Sequence, residues 1–189
     1  GLKGLTYFDA GSRSFYTVDR PIEQPEDLAG LKIRVMESKT AMKMIEQLGA
    51  SPTPISWGEL YTALQQGTVD GAENNPPSFV SSRHYETCKY YSLDEHTRVP
   101  DVLLVSLNRW ERLTPRQREW LRETAARTFE YQRKLWKERP AESLQTVAAV
   151  GVEILRPDQE PFRRKVAPMY DTYRDSPIGA FLERIRLAE

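Results

Sequence analysis

The chain of 189 residues is long enough for one medium domain or two small lobes, and 39% hydrophobic content with four Trp, nine Tyr and six Phe supplies a packed core. Its 27 Lys and Arg balance 27 Asp and Glu, which removes the electrostatic footprint of a protein that binds nucleic acid or an anionic membrane surface. No apolar run approaches the roughly 20 residues that cross a bilayer, so a soluble chain, not inserted in a membrane, is expected.

In chain order, strand and helix signals alternate, which predicts an α/β architecture. Leu5–Phe8 reads as a strand, followed by a turn at Ala10-Gly-Ser-Arg13, and Pro25-Glu-Asp-Leu28 as a helical turn opened by proline. Leu31-Lys-Ile-Arg-Val35 alternates strictly, with Leu31, Ile33 and Val35 on one face and Lys32 and Arg34 on the other. A helix is predicted over Thr40–Leu48, stopped by Gly49, and a second over Trp57–Gln66, opened by the capping-box spacing of Ser56 and Glu59 and ended at Gly67. Thr68–Ala72 reads as a short strand, and Pro76-Pro77 suits the first turn of a helix reaching about Tyr85. Cys88–Leu93 and Val102–Leu107 are further strands; the second is apolar on both faces and is expected at the centre of a sheet. From Thr114-Pro115 a long helix runs on, with a kink expected at Pro140 and a stop at Gly151, and its Arg- and Glu-rich side reads as a solvated face. A strand over Val152–Leu155 and two helices, Glu160–Tyr173 interrupted by Pro168 and Pro177–Leu187, complete the chain.

The single cysteine, Cys88, excludes an internal disulfide and leaves the redox compartment open. The start at Gly1-Leu-Lys-Gly-Leu-Thr-Tyr7 reads like the interior of a longer protein, so a processed or truncated product is expected and the lack of a signal peptide says little about destination.

No G-x-S-x-G elbow, P-loop or dinucleotide fingerprint is present. Two histidines, His84 and His96, with one cysteine are thin material for a transition-metal site or a thiol nucleophile, so no metal and no cofactor is expected. A hydrogen-bonded loop histidine is the plainer reading of His96. Polar residues do gather at predicted strand ends, where ligands of α/β sheets bind. Arg13 follows the first strand, Arg34 lies near the end of the second, Glu73-Asn74-Asn75 follow the third, and Trp57 opens the intervening helix. Singly, each has a plain structural role: an exposed edge charge for Arg34, a core residue for Trp57, a cap of the Pro76 helix for Glu73-Asn74. Together they supply what an anion site needs, an arginine fork, amides that donate and accept, and an aromatic wall.

Four fragments in order, Gly30-Leu-Lys-Ile-Arg-Val35, Leu48-Gly-Ala-Ser-Pro-Thr-Pro54, Glu59-Leu-Tyr-Thr-Ala-Leu-Gln-Gln-Gly67 and Val69-Asp-Gly-Ala-Glu-Asn74, closely resemble the substrate-binding proteins of tripartite ATP-independent periplasmic (TRAP) transporters, of the dicarboxylate-binding DctP type. Tyr85-Glu, Leu113-Thr-Pro and Gly151-Val-Glu-Ile-Leu155 agree, and the resemblance covers essentially the whole chain. It implies a two-lobed, periplasmic-binding-protein-like flytrap fold with crossing strands and a long bridging helix, its N-terminal part of lobe one absent here. Residues 1–10 would then be a crossing strand, 11–105 lobe two, and 106–189 the long helix and the C-terminal part of lobe one. The resemblance further implies a non-catalytic periplasmic protein that captures an organic acid and delivers it to TRAP membrane permease subunits. Arg34 corresponds to the carboxylate-clamping arginine, Arg13 to a second arginine, Asn74 to the asparagine after the Asp-Gly-x-Glu run, and Trp57 holds the aromatic position.

A dicarboxylate offers mainly acceptors and favours two basic clamps, whereas a sugar acid adds hydroxyls and a ring face for stacking. Glu73-Asn74-Asn75 with Trp57 suit the sugar acid. The Glu-Asn-Asn-Pro-Pro-Ser form with Ser92-Leu-Asp-Glu-His96 resembles members associated with hexuronates and related sugar acids, with Tyr91 and His96 as additional liners. The alternative is an enzyme acting on a sugar acid on a similar scaffold, pairing Glu73 with Asp70 or Glu59 as its two carboxylates.

Overall fold

A computed structural model describes residues 1–187. The strands are β1 (Leu2–Phe8), β2 (Ser12–Thr17), β3 (Lys32–Val35), β4 (Ser51–Pro54), β5 (Gly71–Asn74), β6 (Tyr90–Arg98), β7 (Asp101–Ser106) and β8 (Glu153–Leu155). The helices are α1 (Lys39–Leu48), α2 (Leu60–Gln65), α3 (Pro76–Ser81), α4 (Leu107–Glu111), α5 (Pro115–Trp136), α6 (Arg139–Ala149), α7 (Gln159–Val166), α8 (Pro168–Asp171) and α9 (Pro177–Arg186). Among the described residues no helix is long and apolar enough to cross a membrane.

Six strands form a mixed sheet in the order β4-β3-β5-β2-β6-β8, while β1 and β7 pair separately as an antiparallel ribbon. Strand β3 runs parallel to β4 and β5, and β2 runs antiparallel to both β5 and β6. The carboxyl ends of β3 and β5 therefore meet the amino end of β2, with Ser14 opposite Asn74. The alternating side chains of β2 send Phe15 into one core with Ile22, Leu28, Ile33, Val35, Ile45, Leu48 and Phe162, and Tyr16 into the other with Leu60, Leu64, Phe79, Tyr91 and Val147.

Several boundaries differ from the sequence reading, each for a physical reason. Ser12–Thr17 is a strand, not a turn through Arg13, because its polar residues face neighbouring strands on both sides. Ser51–Pro54 is a strand disguised by two prolines, which its edge position tolerates. Strand β5 begins later than predicted, so Glu73 and Asn74 are its last residues and do not follow it. Strand β6 extends to Arg98, which puts His96 in the sheet and not in a loop. Helix α3 stops at Ser81, and Arg83 then takes a left-handed conformation (φ 56°). Strand β7 is not central: among the described residues it pairs only with β1, and Val102 and Leu104 are 44% and 48% exposed. The break predicted at Pro140 is real, separating α5 from α6 two residues before the proline.

The link from β1 to β2 is pinned to the long helix. Gln132 Oε1 accepts from the Asp9 amide (3.1 Å), Gln132 Nε2 donates to the Asp9 carbonyl (2.6 Å), and Arg98 Nη2 donates to the Asp9 carboxylate (3.1 Å). These bonds fix how the ribbon meets the six-stranded sheet.

Gly71, at the start of β5, is required by close approach: a Cβ there would lie 2.5 Å from the Tyr16 carbonyl oxygen and 2.8 Å from Thr17 Cγ2. Gly71→Ala is expected to lower unfolding stability by about 1–3 kcal/mol, the usual cost of overpacking. A urea titration reads this directly, and a change within about 0.5 kcal/mol, the range of a neutral surface change, would show that β2 yields easily.

Candidate functional site

A cavity of about 360 Å³ opens where the carboxyl ends of β3 and β5 approach the ribbon, and its wall includes Arg34, Arg13, Trp57, Asn74 and Asn75. Arg34 is 3% exposed. Its Nε donates to the Ile55 carbonyl at 2.8 Å, and its guanidinium lies 5.5 Å from the centre of the Trp57 ring. Among the described residues neither terminal nitrogen has a hydrogen-bond acceptor and no carboxylate pairs with the charge. Burial pulls its pKa below the ordinary arginine value, an electrostatic cost that a bound anion would relieve.

Trp57, 41% exposed, is a wall of the cavity and not a core residue. His84 packs edge-on against its ring at 5.0 Å. Burial, with the positive charge of Arg34, lowers the His84 pKa to about 4. The imidazole is therefore neutral at pH 7, and its Nδ1 is hydrogen-bonded to the Tyr16 hydroxyl (2.9 Å). It adds no second charge beside the guanidinium. Cys88 is buried, its thiol pushed up to about 12 by that burial, so it is inert as a nucleophile near neutral pH.

Arg13 differs from Arg34 because its donors are largely committed. Nε pairs with Glu73 Oε2, Nη2 donates to Glu73 Oε1 (2.8 Å) and to the Glu73 carbonyl (2.9 Å), and Nη1 donates to Asn74 Oδ1 (2.9 Å). One N–H remains. Behind Glu73 sits His96, its side chain 3% exposed, stacked on Phe15 at 4.2 Å, with Nδ1 2.7 Å from Asp94 Oδ2 and Nε2 3.7 Å from Glu73 Oε2. Burial lowers the His96 pKa, but Asp94 and Glu73 outweigh it and raise it to about 9. Burial likewise pushes the Glu73 carboxyl up, and His96 and Arg13 hold it below the ordinary value. The four residues form a buried chain of alternating charge, Arg13, Glu73, His96 and Asp94.

This geometry corrects two expectations. Glu73 does not present its carboxylate to the cavity, because both oxygens bind Arg13. His96 lies behind Glu73 and is not part of the cavity wall. Tyr91 is fully buried and donates to the Asn74 carbonyl (2.7 Å), so it supports the wall from behind. Asn75 lines the cavity, but its Oδ1 caps α3 by accepting from the Ser78 amide and its Nδ2 donates to the Ala10 carbonyl. The capping role anticipated for Glu73-Asn74 thus falls to Asn75. Asn74 Oδ1 accepts from Arg13 and from the Asn75 amide (2.8 Å), which leaves its Nδ2 without a partner among the described residues.

The alternative enzyme reading needs the Glu73 carboxylate, but both of its oxygens bind Arg13, while Asp70 accepts from the Lys32 amide and Glu59 from the Ser56 hydroxyl. Among the described residues no cluster of three or more His, Cys, Asp or Glu is arranged to hold a metal.

The sequence reading missed Ser78, Ser82 and Asp101, all on the cavity wall. The serines had a legible signal, since hydroxyls four residues apart share one face of a short helix. Asp101 had none, because β7 reaches the cavity only through its pairing with β1.

A description of the DctP family, bacterial extracellular solute-binding protein family 7, matches residues 1–176. A solute-binding protein of Chromohalobacter salexigens is 42% identical over 170 residues, 89% of this chain and 51% of that protein. A crystal structure of a TRAP periplasmic solute-binding protein from Xanthobacter autotrophicus Py2 with bound β-D-galacturonate superposes with a TM-score of 0.95 at 41% identity, covering 100% of this chain and 63% of that one. A TRAP periplasmic solute-binding protein of Chromohalobacter salexigens with bound D-glucuronate gives 0.95 at 39% identity, covering 100% and 64%. The chain thus spans between half and two thirds of the length of these relatives.

Proposed function

The chain belongs to the DctP family of bacterial extracellular solute-binding proteins, and from that premise we propose that it forms part of the periplasmic solute-binding component of a TRAP transporter whose ligand is a hexuronate or closely related sugar acid. The observation that carries this reading is Arg34, a buried guanidinium at a strand end on the wall of a cavity, with no partner for either terminal nitrogen among the described residues. A ligand carboxylate would complete the charge pair bidentately, with the Trp57 ring beside it for the apolar face of a sugar. Galacturonate and glucuronate in the related structures support a six-carbon acid as the occupant.

On this reading Arg13 is a second contact through its one remaining N–H, held in place by Glu73, while Asn74 Nδ2 donates to a ligand oxygen. Residues 1–10 would cross between lobes, 11–105 form the second lobe, and 106–189 contribute the long helix and the C-terminal part of the first. Closure of the lobes on the acid would create the form that docks on the membrane permease.

The test is a thermal-shift screen of the intact binding protein against hexuronates, aldonates, four-carbon dicarboxylates and sialic acid. A ligand that binds only the native state at a hundredfold excess over its dissociation constant adds roughly 2.7 kcal/mol of stability. Stabilisation by hexuronates alone is expected. A response restricted to dicarboxylates would overturn the substrate, and no response to any acid would overturn the binding role.

A further inference from the structure

The cavity is divided by hydrogen-bonding polarity. Free donors collect on the six-stranded sheet: Arg34 Nη1 and Nη2, Asn74 Nδ2 and the last N–H of Arg13. The wall also receives Asp101, the first residue of β7, paired with Phe8 in the separate ribbon. Among the described residues Asp101 makes no ion pair and its carboxylate accepts no side-chain hydrogen bond, although it is exposed. Among the described residues, three charged ones line the cavity, Arg13, Arg34 and Asp101. Glu73 neutralises Arg13 from behind, so one uncompensated cation and one uncompensated anion face the ligand.

A carboxylate ligand satisfies the cation. Its hydroxyl groups then need acceptors, because each carries a proton to donate, and the carboxylate once expected to take them, Glu73, is spent on Arg13. We infer that Asp101 is a specificity-determining residue of this cavity, accepting hydrogen bonds from the hydroxyls of a bound sugar acid and disfavouring a ligand with a second carboxylate. The inference rests on the hexuronate reading and deepens it. The same side chain gains a charge-assisted hydrogen bond from a hydroxyl and meets like-charge repulsion from a carboxylate, so discrimination has an attractive and a repulsive component. Salt screens the repulsive component because Asp101 is exposed.

The experiment is calorimetry on the intact binding protein and its Asp101→Asn and Asp101→Ala variants, using a hexuronate and the six-carbon aldarate of the same configuration, at low and at high salt. Asp101→Asn keeps the shape and one acceptor but removes the charge, and should shift the aldarate-to-hexuronate affinity ratio toward the aldarate by about tenfold at low salt and less at high salt. Asp101→Ala, which removes the acceptor as well, should weaken hexuronate binding about tenfold or more. A ratio that moves less than about twofold in Asp101→Asn, or equal loss of both ligands in that variant with its fold intact, would overturn the role of Asp101 while leaving the hexuronate reading standing. Failure of the unsubstituted protein to bind the hexuronate overturns that reading and this inference together.

Discussion

Arg34→Ala is expected to weaken hexuronate binding by about 2–5 kcal/mol, the range for truncating one partner of a buried charge pair. The size follows from what remains: a ligand carboxylate desolvated beside Trp57 that has lost its charged, two-pronged donor and keeps weaker contacts such as the single N–H of Arg13 and the Asn74 amide. Arg34→Lys should recover part of the loss, since an ammonium restores the charge but not the two parallel donors. Arg34→Met separates ligand binding from folding. It keeps the stem and removes a buried charge that has no carboxylate partner among the described residues, so the ligand-free protein should unfold at nearly the same denaturant concentration as the parent while losing its response to hexuronate. Calorimetry with a loss under tenfold in Arg34→Ala would remove Arg34 as the clamp.

The second large effect lies behind the cavity. Glu73→Ala is expected to cost about 3–5 kcal/mol of folding stability, because it leaves the Arg13 guanidinium partly buried without its bidentate partner and His96 with Asp94 alone. The chain also sets a pH dependence. The His96 pKa is raised in the folded state to about 9, so its contribution is fully present below the unfolded value near 6.5 and is lost as pH rises through 9. A shift of that size corresponds to roughly 3 kcal/mol. Glu73 works in the other direction: its folded pKa is lowered, so its contribution is present above the ordinary carboxylate value and is lost as pH falls below it. His84, its folded pKa lowered to about 4, contributes stability that is lost as pH falls below its unfolded value near 6.5, so stability should be greatest near pH 6.5 and decline both toward pH 9 and toward pH 4. Urea titrations at pH 6, 7.5 and 9 check this. Midpoints that do not fall between pH 7.5 and 9 would mean that the His96 pKa is not raised in the folded protein. In Glu73→Gln the alkaline decline should be shallower, since one of the two carboxylates that hold the proton is gone.

The pH dependence and the binding defect are separable. Glu73 positions Arg13 and does not face the ligand, so its loss should alter affinity less than the loss of Arg34 while altering stability more.

Local signals determined much of this molecule. Alternation in Lys32–Val35, the glycine after Leu48, Thr114 capping a proline-led helix, and Pro140 after a long periodic run each place an element by rules that operate within a few residues. The same local reading singled out Arg34, Trp57, Arg13 and Asn74, which the fold brings around one cavity. Which of these side chains is available to a ligand was decided by the tertiary structure. Arg13 and Arg34 are the same residue type near two strand ends, yet the antiparallel insertion of β2 beside β5 sets Arg13 against Glu73, while Arg34 has no anion among the described residues. Glu73 and His96, polar and prominent in sequence, approach each other from β5 and β6, the two strands that flank β2, whereas Asp101, unremarkable between Pro100 and Val102, is carried to the cavity by pairing of β7 with β1 nearly a hundred residues earlier. Hydrogen-bonding capacity is a property of the residue. Whether that capacity is spent on the protein or left for a ligand depends on strand order, and strand order is set by long-range pairing that no local window of residues contains.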